Sequence, residues 1–140
     1  MIISCLIGIA VITPQFLSDY QECKWYQEAA YHTQEYHHAF ELYLKEENYL
    51  WAIATTFCES SGNQHAVSSA NAKGIWQFLK KTEKWIESKV GENLNPFNPY
   101  DATYMAAWLL YNDTNPKRHW NESKHCWDKN LPNNSYDLHY

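Results

Sequence analysis

The residues whose types and spacing could do chemistry lie in one stretch, Cys58 to Phe78. Glu59 stands at the end of a strongly apolar run that includes Leu50, Ile53, Ala54 and Phe57. If that run is a helix, the carboxylate sits at its C-terminus, where negative charge is mildly unfavourable. Partial burial there disfavours the ionised form and raises the pKa, as a general acid needs. The plain alternative is a helix end facing solvent, and helix physics alone prefers it. Ser60-Ser61-Gly62-Asn63-Gln64 is turn chemistry, with Gly62 free to take a positive φ. A small polar loop, Ser68 to Lys73, leads into Gly74-Ile75-Trp76-Gln77. Ser68 comes nine residues after Glu59 and Gln77 eighteen after it, with no second acidic residue between Ser60 and Phe78. The carboxylate would have to work alone.

The elements that must hold these residues read as helices. Between Pro14 and Pro96 there is no proline, and Gly62, Gly74 and Gly91 are the only glycines. From Leu17 to Cys58 the spacing suits two helices, the first capped by Ser18, with a break near Glu47-Asn48. Ile75 to Lys89 reads as the next helix, ended by Gly91. Asp101 is a strong N-cap candidate for a helix from Ala102 to Tyr111, and Ala106-Ala107 on it permits close approach of a neighbour. Beyond Asn112 the chain is polar and without period, an irregular cover or a short helix. No strand pairing is predicted. The fold class is mainly α, a single compact domain with little or no β.

In order, Glu59-Ser60, Ala66-Val67-Ser68, Gly74-Ile75-Trp76-Gln77 and Asn98-Pro99-Tyr100-Asp101 before an Ala-rich helix resemble a known pattern. They look like the lytic transglycosylase domain of the soluble-transglycosylase type, in the goose-lysozyme superfamily, across roughly Leu50 to Tyr111. The resemblance implies a lysozyme-like helical domain over residues 17–140 with its motif core at 50–111. It implies that Glu59 is the single acid/base, that Ser68 and Gln77 bond the substrate, and that Gly74 lets the backbone approach the sugar. Trp76 and Phe78 would be groove walls or simply core. The family's Ala-Tyr-Asn-Ala-Gly motif, whose Tyr sits near the catalytic Glu, has no counterpart. Tyr111-Asn112 is a partial echo, and Tyr100, Tyr104 and Tyr111 are stand-ins for that Tyr. The implied reaction cleaves the β-1,4 bond between N-acetylmuramic acid and N-acetylglucosamine and leaves a 1,6-anhydro end. Neither metal nor cofactor is called for. Two other readings stay open: a lysozyme-type hydrolase using Asp101 or Asp113 as base, and a non-catalytic glycan-binding or assembly module.

Composition bounds partners and place. The 140 residues suit one domain, and a net charge of −5 argues against nucleic acid. The nearest approach to a basic stripe, Lys80-Lys81 with Lys84, is broken by Glu83 and Glu87 and reads as a solvated helix face. Seven Trp and eleven Tyr either fill a core or stack on sugars, and core is the better reading for most. Residues 1–14 read as an apolar leader for export, with a run from Ile2 to Thr13 too short for a membrane span of about 20 residues. No Lys or Arg precedes that run, and the alternative is a buried first helix or strand ending at Pro14. The expected partner is peptidoglycan glycan strands, with secretion, conjugation or phage-entry machinery as the context that suits a short chain. The expected state is a monomer in an extracytoplasmic place: periplasmic, secreted or virion-associated. Four Cys without a C-x-x-C spacing argue against a structural zinc site. Once the leader is removed, the three that remain would give one disulfide and one free thiol, of a pairing the sequence leaves open.

Overall fold

A computed structural model describes the backbone of residues 14–128 and the side chains of 21–128. The expected leader therefore lies, but for Pro14, outside the described residues. Six α-helices follow in order: α1 (Pro14–His32), α2 (His37–Tyr43), α3 (Tyr49–Ser60), α4 (Lys80–Val90), α5 (Pro99–Asn112) and α6 (Lys124–Trp127). Short 3-10 turns span Gln34–Tyr36, Glu46–Asn48 and Pro116–Ser123. The mainly helical expectation holds. Among the described residues, β-pairing is limited to isolated bridges between Val67 and Lys73 and between Lys73 and Phe78. No described helix is long and apolar enough to cross a membrane.

The central element is α3. Trp51 to Thr56 are all buried, because this helix is apolar nearly all round and its two threonines turn inward. Thr56 donates its hydroxyl to Ala52 O at 2.7 Å, which removes the cost of a buried polar group. Around α3 pack α1, the 3-10 turn Pro116–Ser123, α6 and α2, while α5 lies against α2 and α4. The break expected near Glu47-Asn48 is the 3-10 turn before α3. A second break was not anticipated: Gln34–Tyr36 separates α1 from α2, so the region holds three α-helices. Ser18 lies inside α1, four residues past Pro14, and so does not stand at an N-cap position.

Two further expectations are corrected at helix starts. The fourth helix begins at Lys80 and not at Ile75, because residues 74–78 form a turn locked by paired backbone bonds between Lys73 and Phe78. The cap of α5 is Asn98, whose side chain accepts from Tyr100 N and Asp101 N, with Pro99 as first helical residue. Asp101 instead sits in the first turn and accepts from Asn95 N at 2.9 Å. Gly91 does end α4, at φ 76°. The charged face of α4 is not wholly solvated either. Glu83 and Glu87 are buried, paired with Lys80 and Lys84, and Glu87 accepts from Leu94 N at 2.8 Å.

The core is a run of tryptophans. Trp51 of α3 meets Trp76, Trp120 and Trp127, with Trp51 and Trp120 centroids 5.1 Å apart. Indole N–H groups tie this stack to the backbone: Trp120 Nε1 to Trp76 O at 3.0 Å and Trp127 Nε1 to Trp120 O at 3.0 Å. The polar tail after Asn112 is thus both a cover and a short helix, anchored by two large rings. A disulfide joins Cys58 of α3 to Cys126 of α6, with Cα atoms 6.0 Å apart. Cys23 is also disulfide-bonded.

Candidate active site

Glu59 is the penultimate residue of α3. The helix stops there because Ser61 turns left-handed, at φ 53°, and sends its N–H back to Phe57 O at 2.8 Å. Gly62 follows at φ 77°, as its residue type permits. A Cβ at Gly62 would lie 2.1 Å from His32 O, so the end of α1 rests directly on this turn. Tyr36 reaches in from the first 3-10 turn and donates its hydroxyl to Gly62 O at 2.6 Å. Phe57, two residues before Glu59, lies against Trp25 and stacks on His32. The glutamate therefore leaves a helix whose last turn is fixed on three sides.

Its carboxylate is half-buried. Burial lifts its pKa above the ordinary 4.5, and the nearby Glu122 adds to the rise. A hydrogen bond opposes them: Ser123 donates its hydroxyl to Glu59 Oε1 at 2.5 Å. This partner comes from the end of the third 3-10 turn, not from the Glu59–Gln77 stretch.

Ser68 is exposed on the polar loop, and its Oγ accepts from Ala72 N at 3.0 Å while its hydroxyl hydrogen stays available. Gln77 takes a left-handed φ of 51° and uses its amide nitrogen within the fold, donating to Gly74 O at 2.8 Å and Ala66 O at 3.1 Å. Its carbonyl oxygen alone is left to meet a ligand. Gly74 is buried, and a Cβ there would lie 1.8 Å from Pro96 O. The close approach that this glycine allows here is that of the Pro96 connector. Trp76 has no exposed surface and donates Nε1 to Thr103 Oγ1 at 3.1 Å, and Phe78 is buried beside Trp120. Both take the core alternative, and Trp76 walls no groove.

The tyrosines separate. Tyr100 is 39% exposed at the start of α5, with its ring 6.0 Å from that of His38. It lies three residues past Phe97, which meets His65 and Lys73 of the motif loops. Tyr104 packs its ring against Tyr43. Tyr111 accepts Lys45 N at 2.8 Å, just ahead of the N-terminus of α3. Glu59 is ten residues along that helix from Tyr49, about 15 Å away. Tyr111 is therefore not beside the acid. The tyrosine that supports the Glu59 turn is Tyr36, which spacing along the chain gave no reason to single out.

Both alternative bases accept hydrogen bonds from the fold. Asp113 takes His119 Nε2 at 2.8 Å, Arg118 Nη2 at 3.1 Å and Asn115 N at 3.1 Å. The His119 bond, first, and then the Asn115 N–H hold its pKa down to about 2. Asp101 is committed to Asn95 N.

A family model described as Transglycosylase SLT domain matches residues 36–123. The match exceeds the Leu50–Tyr111 motif core at both ends, reaching Tyr36 on one side and Ser123 on the other. No curated protein and no solved structure matches the chain.

Proposed function

The chain belongs to the transglycosylase SLT domain family, whose members act on peptidoglycan, and from that premise we propose that it is a lytic transglycosylase with Glu59 as its single acid/base. The observation that carries the reading is a half-buried carboxylate at the end of α3 whose burial favours the protonated form. Protonated Glu59 donates to the oxygen bridging N-acetylmuramic acid and N-acetylglucosamine. The charge that develops on the muramoyl ring is met by its own N-acetyl group, as in substrate-assisted glycosidases. The Glu59 carboxylate then takes the proton of the sugar's 6-hydroxyl, whose oxygen closes the 1,6-anhydro ring. One carboxylate gives and takes one proton, and no water enters.

Substrate contacts fall to the groups whose polar atoms remain available, the Ser68 hydroxyl and the Gln77 carbonyl oxygen, with the exposed ring of Tyr100 as a surface for a sugar face. A hydrolytic outcome would need a second group to activate water, and Asp113, held by three donors with its pKa down to about 2, is a weak base for that step. Disulfides persist in oxidising compartments, so Cys58–Cys126 supports work outside the cytoplasm, where peptidoglycan is.

The test is mass spectrometry of purified peptidoglycan digested with the wild-type protein and with Glu59→Gln. Anhydromuramoyl ends from the wild type and none from the variant are expected. Hydrated reducing ends would move the assignment to a muramidase, and no product from either would move it to a binding module.

A further inference from the structure

The Glu59 side chain receives its one described hydrogen bond from a residue far along the chain. Ser123 is buried, and its hydroxyl lies 2.5 Å from Glu59 Oε1 and 3.2 Å from Trp120 O. A hydroxyl has one hydrogen, and the shorter contact takes it. We propose that Ser123 is the positioning residue of Glu59: by donating to Oε1 it fixes the carboxyl plane and leaves Oε2 as the oxygen that delivers and recovers the proton. This rests on the reading of Glu59 as acid/base.

Three observations support it. The contact survives both protonation states, because Oε1 is an acceptor in the carboxylate and in the acid whose proton is on Oε2. A hydrogen bond to an ionised group is the stronger, so Ser123 favours the carboxylate formed once the proton has been given away. Ser123 is itself held rigidly. It stands between Trp120, bonded to Trp76 O, and Trp127, bonded to Trp120 O, and the Cys58–Cys126 bridge ties its segment to the residue before Glu59. A rigid second group that orients the reacting one is what proton transfer in a fixed geometry needs.

Among the described side chains, the acidic and basic groups on the elements packed against α3 are Glu22, Lys24, Glu28 and His32 on α1, His37, His38 and Glu41 on α2, Lys117, Arg118, His119 and Glu122 in the 3-10 turn, and Lys124 and His125 on α6. Of these Glu122 acts on Glu59, raising its pKa. Removing the Ser123 hydroxyl leaves that influence and burial in place, so the direction of change is fixed: upward.

The experiment compares wild type, Ser123→Ala and Ser123→Thr by carbon-13 NMR titration of Glu59 and by steady-state turnover of purified glycan strands across pH. Ser123→Ala is expected to raise the Glu59 pKa by roughly one unit. It should shift the alkaline limb of the rate profile upward with it and lower kcat about tenfold with KM little changed, since Ser123 is buried and bonded within the fold. Ser123→Thr, which keeps the hydroxyl, should restore both. A purely structural residue would lower the melting temperature and leave the Glu59 titration where it was. If Ser123→Ala does not fold, Ser123→Gly carries the same expectations. A folded hydroxyl-free variant with wild-type Glu59 titration and wild-type kcat overturns the proposal. Glu59→Gln assayed alongside separates the two readings: full lysis by that variant sinks the function of Glu59, whereas its loss, with Ser123→Ala unchanged, sinks only the role of Ser123.

Discussion

At the scale of single residues, Glu59 is held where stability and function oppose each other. Burial raises its pKa, so the folded chain holds the proton more tightly than the unfolded chain does. The stability linked to this group is full below the ordinary value of 4.5 and is lost as pH rises through the higher folded value. Glu59→Gln is uncharged at every pH. It should therefore melt at or above the wild-type temperature at neutral pH, and the difference should close below about pH 4. Paired thermal melts at the two pH values check this, and a variant less stable at neutral pH would contradict the desolvation of Glu59. Gln77 is a different case. Its amide holds Ala66 O and Gly74 O together, so Gln77→Ala loses two internal bonds as well as any contact to a ligand. A loss of about 1–3 kcal/mol in denaturant unfolding is expected, beside lower activity. The position of Glu59 at a helix end was legible because it follows a strongly apolar run broken only by Thr55-Thr56. The use of the Gln77 amide within the fold was not, since a polar residue in a motif reads the same whether it faces a ligand or the backbone.

At the scale of elements, the turn from Lys73 to Phe78 does what a helix start was expected to do. Ile75, Trp76 and Phe78 are all buried, which an irregular segment allows as well as a helix face does, and paired backbone bonds decided for the turn. The seat of that turn is Gly74 against the Pro96 connector. Gly74→Ala places a methyl 1.8 Å from Pro96 O at φ 79° and must displace backbone. It should cost more than about 2 kcal/mol, with the motif loops losing amide-exchange protection before α3 does. Unchanged protection in residues 66–78 would show that the connector can yield. The cap of α5 shows the same limit of pattern reading. Asn98 and Asp101 are both good caps, and Pro99 between them decides, because its fixed φ suits the first helical position and so puts the cap one residue earlier.

At the scale of the whole molecule, the half of the site nearest the acid is assembled from segments far apart in sequence. Residues 49–62 bring Glu59, while residues 120–127 bring Ser123 and the bridge to Cys58. The tail read as polar and without period, because the anchors Trp120 and Trp127 are isolated among charged residues and no local pattern reveals a long-range tryptophan stack. The cysteine count announced a bridge but could not choose its ends. In the chain-entropy account, a link spanning 68 residues stabilises by about 4 kcal/mol. Cys58→Ser with Cys126→Ser should lower the unfolding midpoint accordingly, and urea titration of the pair against wild type measures it. A midpoint unchanged within error would mean that the tryptophans alone seat the tail. The same link also turns the stretch from Cys58 to Cys126 into a covalent ring. A single peptide-bond cut by a protease anywhere inside that ring opens the loop without releasing a fragment. Nicked protein keeps Glu59 and Ser123 on one connected body, runs as one band on a denaturing gel, and separates into two pieces when a reducing agent is added.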